Sequence, residues 1–143
     1  MRLVMACDHG GYQLKDELKE KLEDRDVTIE DLGTSTGDSV DYPDFAHALS
    51  DKVLAGEADL GLLICGTGLG MSMAANRHRG IRAAVCTDPY MARMAREHND
   101  ANVLCLGARV IGPSLALEIV GAFLDGQFGG DRHARRVGKI EPA

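Results

Sequence analysis

Residues 60 to 72 read Leu-Gly-Leu-Leu-Ile-Cys-Gly-Thr-Gly-Leu-Gly-Met-Ser, so an apolar run closes on Cys65 and Gly66, Thr67, Gly68 and Gly70 follow. A buried strand that turns through glycines into a helix sets a thiol beside several backbone N–H groups. Such surroundings lower a cysteine pKa and stabilise an anion. A thiolate base next to anion-binding donors is suited to moving a proton beside a carbonyl. The other cysteines read differently. Cys86 and Cys105 fit small hydrophobes within strands. Cys7 ends a strand but abuts Asp8, whose charge would raise its pKa, so it reads as packing.

Other groups could serve the same chemistry. Asp8-His9-Gly10-Gly11 lies between a predicted strand and helix. Asp8 alone fits a helix cap, but the double glycine favours a ligand approach, and His9 near a helix N-terminus suits a phosphate. His98-Asn99-Asp100 closes a predicted helix, where the dipole alone would favour a histidine. That helix returns toward the amino edge of its sheet. If His98 and Cys65 act together, a second subunit must supply one of them. Arg132 and Arg136, four apart in a basic tail, read as a solvated charge cluster or as a clamp for a phosphate. Arg109, after the last strand, reads as a phosphate ligand or an ion-pair partner.

The elements that must position these groups follow from periodicity. Predicted strands run Leu3–Cys7, Val27–Leu32, Leu60–Cys65, Ile81–Cys86 and Val103–Leu106. Leu14, Leu18 and Leu22 mark a helix from about Gly11. Asp41 and Pro43 open a second helix with Phe45, Leu49 and Val53 inward. A third follows the glycine turn. Asp88 and Pro89 start a fourth with Met91, Met94 and Ala95 inward. Pro113 starts a fifth that buries Leu117, Val120 and Leu124. Five strands alternating with helices predict a three-layer α/β/α sandwich on a five-stranded parallel Rossmann-like sheet. Ligands bind such sheets outside the carboxyl ends of the strands, where Cys7-Asp8-His9, Cys65-Gly66-Thr67 and Gly107-Ala108-Arg109 fall.

Composition bounds the answer. The 143 residues suit one domain, 1–143, with a basic tail from about 129. The chain is 45% hydrophobic but only 4% aromatic, so the core must be aliphatic. A net charge of −6 argues against nucleic acid, and no stretch reaches membrane length. The opening apolar run is too short for a signal peptide. Four cysteines without a C-x-x-C pair fit reduced thiols, hence a cytoplasmic location. Neither a metal motif nor a Walker lysine is present.

Gly66, Gly68 and Gly70 also approximate a dinucleotide fingerprint, with Asp88 for the ribose, but the third glycine is one position early and the turn lies in the third strand unit. This leaves a non-catalytic nucleotide-binding module as a second reading. A thiol redox sensor, a third, would require a resolving cysteine, for which Cys7 is the candidate.

Taken together, Cys7-Asp8-His9-Gly10-Gly11, Asp41-Tyr42-Pro43, Ile64-Cys65-Gly66-Thr67-Gly68-Leu69-Gly70, Ala74-Ala75-Asn76-Arg77, Gly80-Ile81-Arg82-Ala83, His98-Asn99-Asp100-Ala101-Asn102-Val103-Leu104 and Arg132-His133 with Arg136 resemble the type B ribose-5-phosphate isomerases. That family includes galactose 6-phosphate and allose 6-phosphate isomerases. The resemblance implies strand order 2-1-3-5-4, no metal or organic cofactor, and a homodimer or tetramer with its site between subunits. Within the family some members carry a glutamate where this chain has Met71, and this chain resembles the cysteine variant. The resemblance implies Cys65 as the base between C2 and C1, assisted by Thr67, with the N–H groups of residues 66 to 70 on the enediolate oxygen. It gives ring opening to His98, with Asp8 and Tyr42 near the ring oxygen or hydroxyls and Asn99 on a hydroxyl. His9, Arg132, Arg136 and Arg109 would hold the phosphate. Ribose 5-phosphate is the expected substrate; allose 6-phosphate, galactose 6-phosphate or a tetrose phosphate is the alternative.

Overall fold

Two apolar runs form the centre of the sheet. β1 (Arg2–Cys7) and β3 (Leu60–Cys65) lie side by side and parallel, Leu3 opposite Leu60 and Cys7 opposite Ile64. The computed structural model describes all residues, Met1–Ala143. Around this pair the chain adds β2 (Thr28–Asp31), β5 (Val103–Gly107) and β4 (Ala83–Val85), giving the order β2-β1-β3-β5-β4. All four pairings are parallel. Helices α1 (Tyr12–Lys21), α2 (Tyr42–Leu54), α3 (Leu69–Ala75), α4 (Pro89–Asn99), α5 (Pro113–Asp125) and α6 (Asp131–Val137) complete the chain.

A parallel sheet needs cover on both faces because its strands are apolar on both. One core joins β-strand residues to α1, α4 and α5, through Leu14, Leu18, Ala92, Ala95, Ile119 and Phe123. The other joins the opposite face to α2 and α3, through Ala46, Leu49, Met71 and Ala75. The expected three-layer sandwich is thus present. No helix is long and apolar enough to cross a membrane.

Two expectations are corrected and one element is added. The fourth strand covers Ala83–Val85 rather than Ile81–Cys86, because the Ile81 N–H is used in a turn by His78 O (3.0 Å) and the Arg82 N–H by Asn102 Oδ1 (2.8 Å). Met91 points outward, 42% exposed. The inward stripe of α4 is Ala92 and Ala95, with Met91 one position off it, and these small side chains let α4 approach α5 closely. Within the basic tail, Asp131–Val137 adds a sixth helix, α6, packed near α4, where periodicity marks none.

Candidate active site

The carboxyl ends of β1, β3 and β5 meet around one sulfur. Gly68 adopts φ 81, a left-handed conformation that glycine reaches without a Cβ clash. The turn therefore folds back, and the Gly68 N–H donates to Cys65 Sγ at 3.0 Å. Thr67 Oγ1 accepts from Leu69 N–H (3.3 Å) and Ser72 donates its N–H to Gly68 O (3.1 Å). The N–H groups of Gly66, Thr67 and Gly70 have no partner within the chain. They are left to meet a ligand or water, as the first N–H groups of a helix are. Cys65 is 5% exposed, with Gly66 half-buried and Thr67 exposed above it.

β5 locks this turn from one side. The Cys65 carbonyl accepts from Ala108 N–H (2.8 Å) and the Gly66 carbonyl from Arg109 N–H (3.0 Å). A Cβ at Gly107 would stand 2.7 Å from the Thr67 carbonyl carbon and oxygen, so only glycine permits this approach. Arg109 lies over Gly66 and Gly10 of its own chain, since added Cβ atoms there would come within 3.2 Å of Nη1 and 3.7 Å of Nη2 respectively.

β1 brings Asp8 and His9. Asp8 is buried and its Oδ1 accepts the Gly10 N–H at 2.9 Å, so it closes its own turn rather than capping α1, whose cap residue is Gly11. Gly11 is also not a ligand approach: its Cβ would strike the Ile64 backbone at 2.5 Å, so it is there for packing. His9 Nδ1 accepts the Val40 N–H (3.2 Å), which leaves its Nε2 as the protonated, donating nitrogen. Tyr42, at the start of α2, lays its ring over Gly70, where a Cβ would come within 2.7 Å of the ring. A concavity of about 390 Å³ opens there, lined by Tyr42, Gly70, Met73 and Arg77.

Burial acts on the remaining three thiols. Burial pushes Cys7 up to about 12, the Asp8 charge contributing least among the causes, and Cys86 up to about 11, while Cys105 is also raised by burial. Cys7 and Cys65 belong to opposite faces of the sheet. The redox reading thereby loses its resolving cysteine.

His98, Asn99, Arg132 and Arg136 are not in this cluster. α4 starts at the carboxyl edge and runs 11 residues back, about 16 Å. It ends near Asn102, whose carbonyl accepts from Gly61 at the amino end of β3. There His98 stacks on His133, centroids 4.3 Å apart and planes 10° from parallel. Gly129 N–H donates to Glu97 O (2.9 Å), tying the start of α6 to α4. Arg132 and Arg136 lie on α6. Loss of hydration, followed by the neighbours His98, Arg132 and Arg136, holds His133 below its usual pKa. A larger concavity, about 730 Å³, lies on this side, lined by Asn99 with Arg79, Arg82 and Glu141. Nothing in the sequence points to the His98–His133 stack, since the two lie 35 positions apart without a shared pattern. The chain thus carries two partial constellations at opposite ends of its sheet.

Comparison with known proteins agrees with both fold and motifs. The ribose/galactose isomerase family matches residues 3–140. Ribose-5-phosphate isomerase B of Escherichia coli is 48% identical over 139 residues, spanning 97% of this chain and 93% of that protein. The solved ribose-5-phosphate isomerase B of Clostridium thermocellum superposes with a TM-score of 0.96 at 56% identity, covering 98% of this chain and 95% of that one. That of Mycoplasma genitalium, solved with bound ribulose-5-phosphate, superposes with a TM-score of 0.92 at 44% identity, covering 97% and 93%. A match over nearly the whole length, on a fold and a set of strand-end residues already in place, makes this chain a member of the ribose/galactose isomerase family and an isomerase.

Proposed function

We propose that the enzyme interconverts ribose 5-phosphate and ribulose 5-phosphate through an enediolate, with Cys65 as the base. The observation that carries this reading is the Gly68 N–H donated to Cys65 Sγ, with the N–H groups of Gly66, Thr67 and Gly70 unengaged around it. The Gly68 N–H fixes the sulfur at the end of β3, facing the turn, where it can take up a proton from a substrate carbon. Free donors beside it suit the oxyanion that appears when a C–H bond next to a carbonyl breaks.

In this reading His98 and Asn99 of one copy complete the cup of another, because their own lies at the far edge of the sheet. His98 protonates the ring oxygen as the furanose opens, with Asp8 and Tyr42 beside the ring oxygen or hydroxyls and Asn99 on a hydroxyl. Cys65 then takes the C2 proton, the N–H groups hold the enediolate oxygen, and Cys65, with Thr67 beside it, returns the proton to C1. Oxygen O2 loses its proton as O1 gains one, so the step is neutral in electrons. His9 Nε2, Arg109, Arg132 and Arg136 bind the phosphate, anchoring the substrate away from the reacting carbons. No step calls for a metal or organic cofactor. Four free, buried cysteines suit a reducing compartment, the cytoplasm.

Cys65→Ala tests this directly. Turnover of ribose 5-phosphate should fall by about 10²–10⁴-fold, while calorimetry still detects sugar-phosphate binding. Normal turnover in that variant would remove Cys65 as the base. The family's name also carries galactose, so the same assay belongs on galactose 6-phosphate, allose 6-phosphate and a tetrose phosphate. Tight binding of a nicotinamide dinucleotide without isomerisation of any of these would favour the nucleotide-binding module instead.

A further inference from the structure

The turn that ends α4 carries more hydrogen bonds than a helix end requires. Asp100 adopts φ 46 and ψ 42, a left-handed conformation that an aspartate holds only where its surroundings support it. Two guanidiniums supply that support. Arg82 Nε donates to the carbonyls of both Asn99 (3.1 Å) and Asp100 (2.9 Å), and its Nη2 donates to Asp100 Oδ2 (3.2 Å). Arg96 Nη1 donates to Asp100 Oδ1 (3.2 Å) and to Ala101 O (2.6 Å). Arg82 is itself fixed, since its N–H donates to Asn102 Oδ1 (2.8 Å) and the Asn102 amide donates to Gly80 O (2.9 Å).

The last carbonyls of a helix lack intrahelical partners and carry partial negative charge. One Arg82 N–H, on Nε, is shared between two of them while Nη2 of the same rigid plane reaches the Asp100 carboxylate, a fixed geometry that the flexible stem of a lysine does not supply. The segment gripped in this way is the one that carries His98 and Asn99. Both side chains are exposed, while the Asn99 carbonyl beneath them is held. A displacement of about 1 Å in a reacting group can cost about 10²-fold in rate.

We infer that Arg82 is a positioning residue for ring opening. Acting through the Asp100 turn, it sets where His98 and Asn99 reach into a neighbouring copy. This rests on His98 as the ring-opening group, as proposed above. Arg82 touches no substrate in this scheme, and its effect falls on the ring step rather than on proton transfer at Cys65.

Arg82→Gln, read by two assays, tests the inference. Isomerisation of ribose 5-phosphate, a furanose in solution, needs both steps. Exchange of a C1 hydrogen of ribulose 5-phosphate in D2O, followed by NMR, needs proton transfer alone, because phosphate on O5 denies this ketose a furanose form. Isomerisation should fall about 10–100-fold in kcat, exchange should stay close to the unsubstituted rate, and Arg82→Lys should recover part of the loss. Unchanged isomerisation, or an equal fall in both assays, would overturn the inference. If Arg82→Gln does not fold, Asp100→Asn is judged by the same two assays and criteria; it keeps a residue tolerant of the left-handed region and removes the carboxylate between the two guanidiniums. An unsubstituted enzyme inert in both assays would remove the ribose phosphate reading itself, and the positioning role with it.

Discussion

Cys65 and Cys105 sit two positions apart across β3 and β5, in the same apolar layer, yet only Cys65 receives a backbone N–H. The difference is made by glycines that bring one strand end over another. Their tolerance to a methyl group should differ accordingly. At Gly107 the obstacle is the Thr67 backbone at 2.7 Å, which cannot yield without moving the N–H groups above Cys65. Gly107→Ala should lower kcat about 100-fold in steady-state kinetics. At Gly70 the obstacle is the Tyr42 ring, which is 41% exposed and free to swing. Gly70→Ala should raise KM and leave kcat within a few-fold, about 3-fold at most. Cys65 and its glycines were legible in sequence because strand, thiol and turn are contiguous. The double glycine after His9 was half legible: Gly10 borders Asp8 and Arg109, whereas Gly11 serves packing on Ile64, a contact between the start of α1 and β3 that no local pattern announces.

Helix α1 and strand β2 are joined by an ion pair in the interior. Lys15 is buried at 0% side-chain exposure, and its Nζ donates to both oxygens of Asp31 at 2.8 and 2.7 Å, with Asp16 at 3.2 Å. Burial alone would push the Asp31 carboxyl up, but Lys15, the Gly33 N–H and Lys19 outweigh it and hold the carboxyl below its usual value. A carboxylate with a depressed folded pKa stabilises the fold above its unfolded pKa, and this is lost as pH falls through the folded value. Thermal melts should therefore show a loss of stability that begins near pH 4 and deepens below it, and Asp31→Asn should shrink that acid dependence. Lys15→Met should cost about 3 kcal/mol in chemical denaturation, because it strands the carboxylate partner. This pair escaped the sequence reading: Lys15 lies beside the Leu14, Leu18 and Leu22 stripe and passes for a surface lysine. The strands themselves were legible because apolar runs of five and six residues leave little choice. β4 was overextended because Ile81 and Arg82 spend their N–H groups on a turn and a side chain.

Across the whole molecule, the groups proposed for the chemistry divide between two ends of one sheet, and a single copy does not unite them. The separation of His98 from Cys65 was legible, because a helix following a parallel strand must run back. The helical form of residues 131–137 and the stacked imidazoles were not, since both depend on α6 meeting α4. If two copies share two sites, each built from one copy's Cys65 end and the other's His98 end, inactive variants should complement. Mixing Cys65→Ala with His98→Asn and allowing subunits to exchange should restore about a quarter of the activity, since half of the dimers are mixed and each has one intact site. No recovery would place both groups in the same copy's site. The last residues matter for a practical reason. Glu141, two positions from the end of the chain, accepts the Gly80 N–H at 2.7 Å, and Gly80 O in turn receives Asn102 and Arg82. A purification handle fused after Ala143 would pull on this mooring, whereas Met1, half exposed at the opposite terminus, offers the gentler point of attachment.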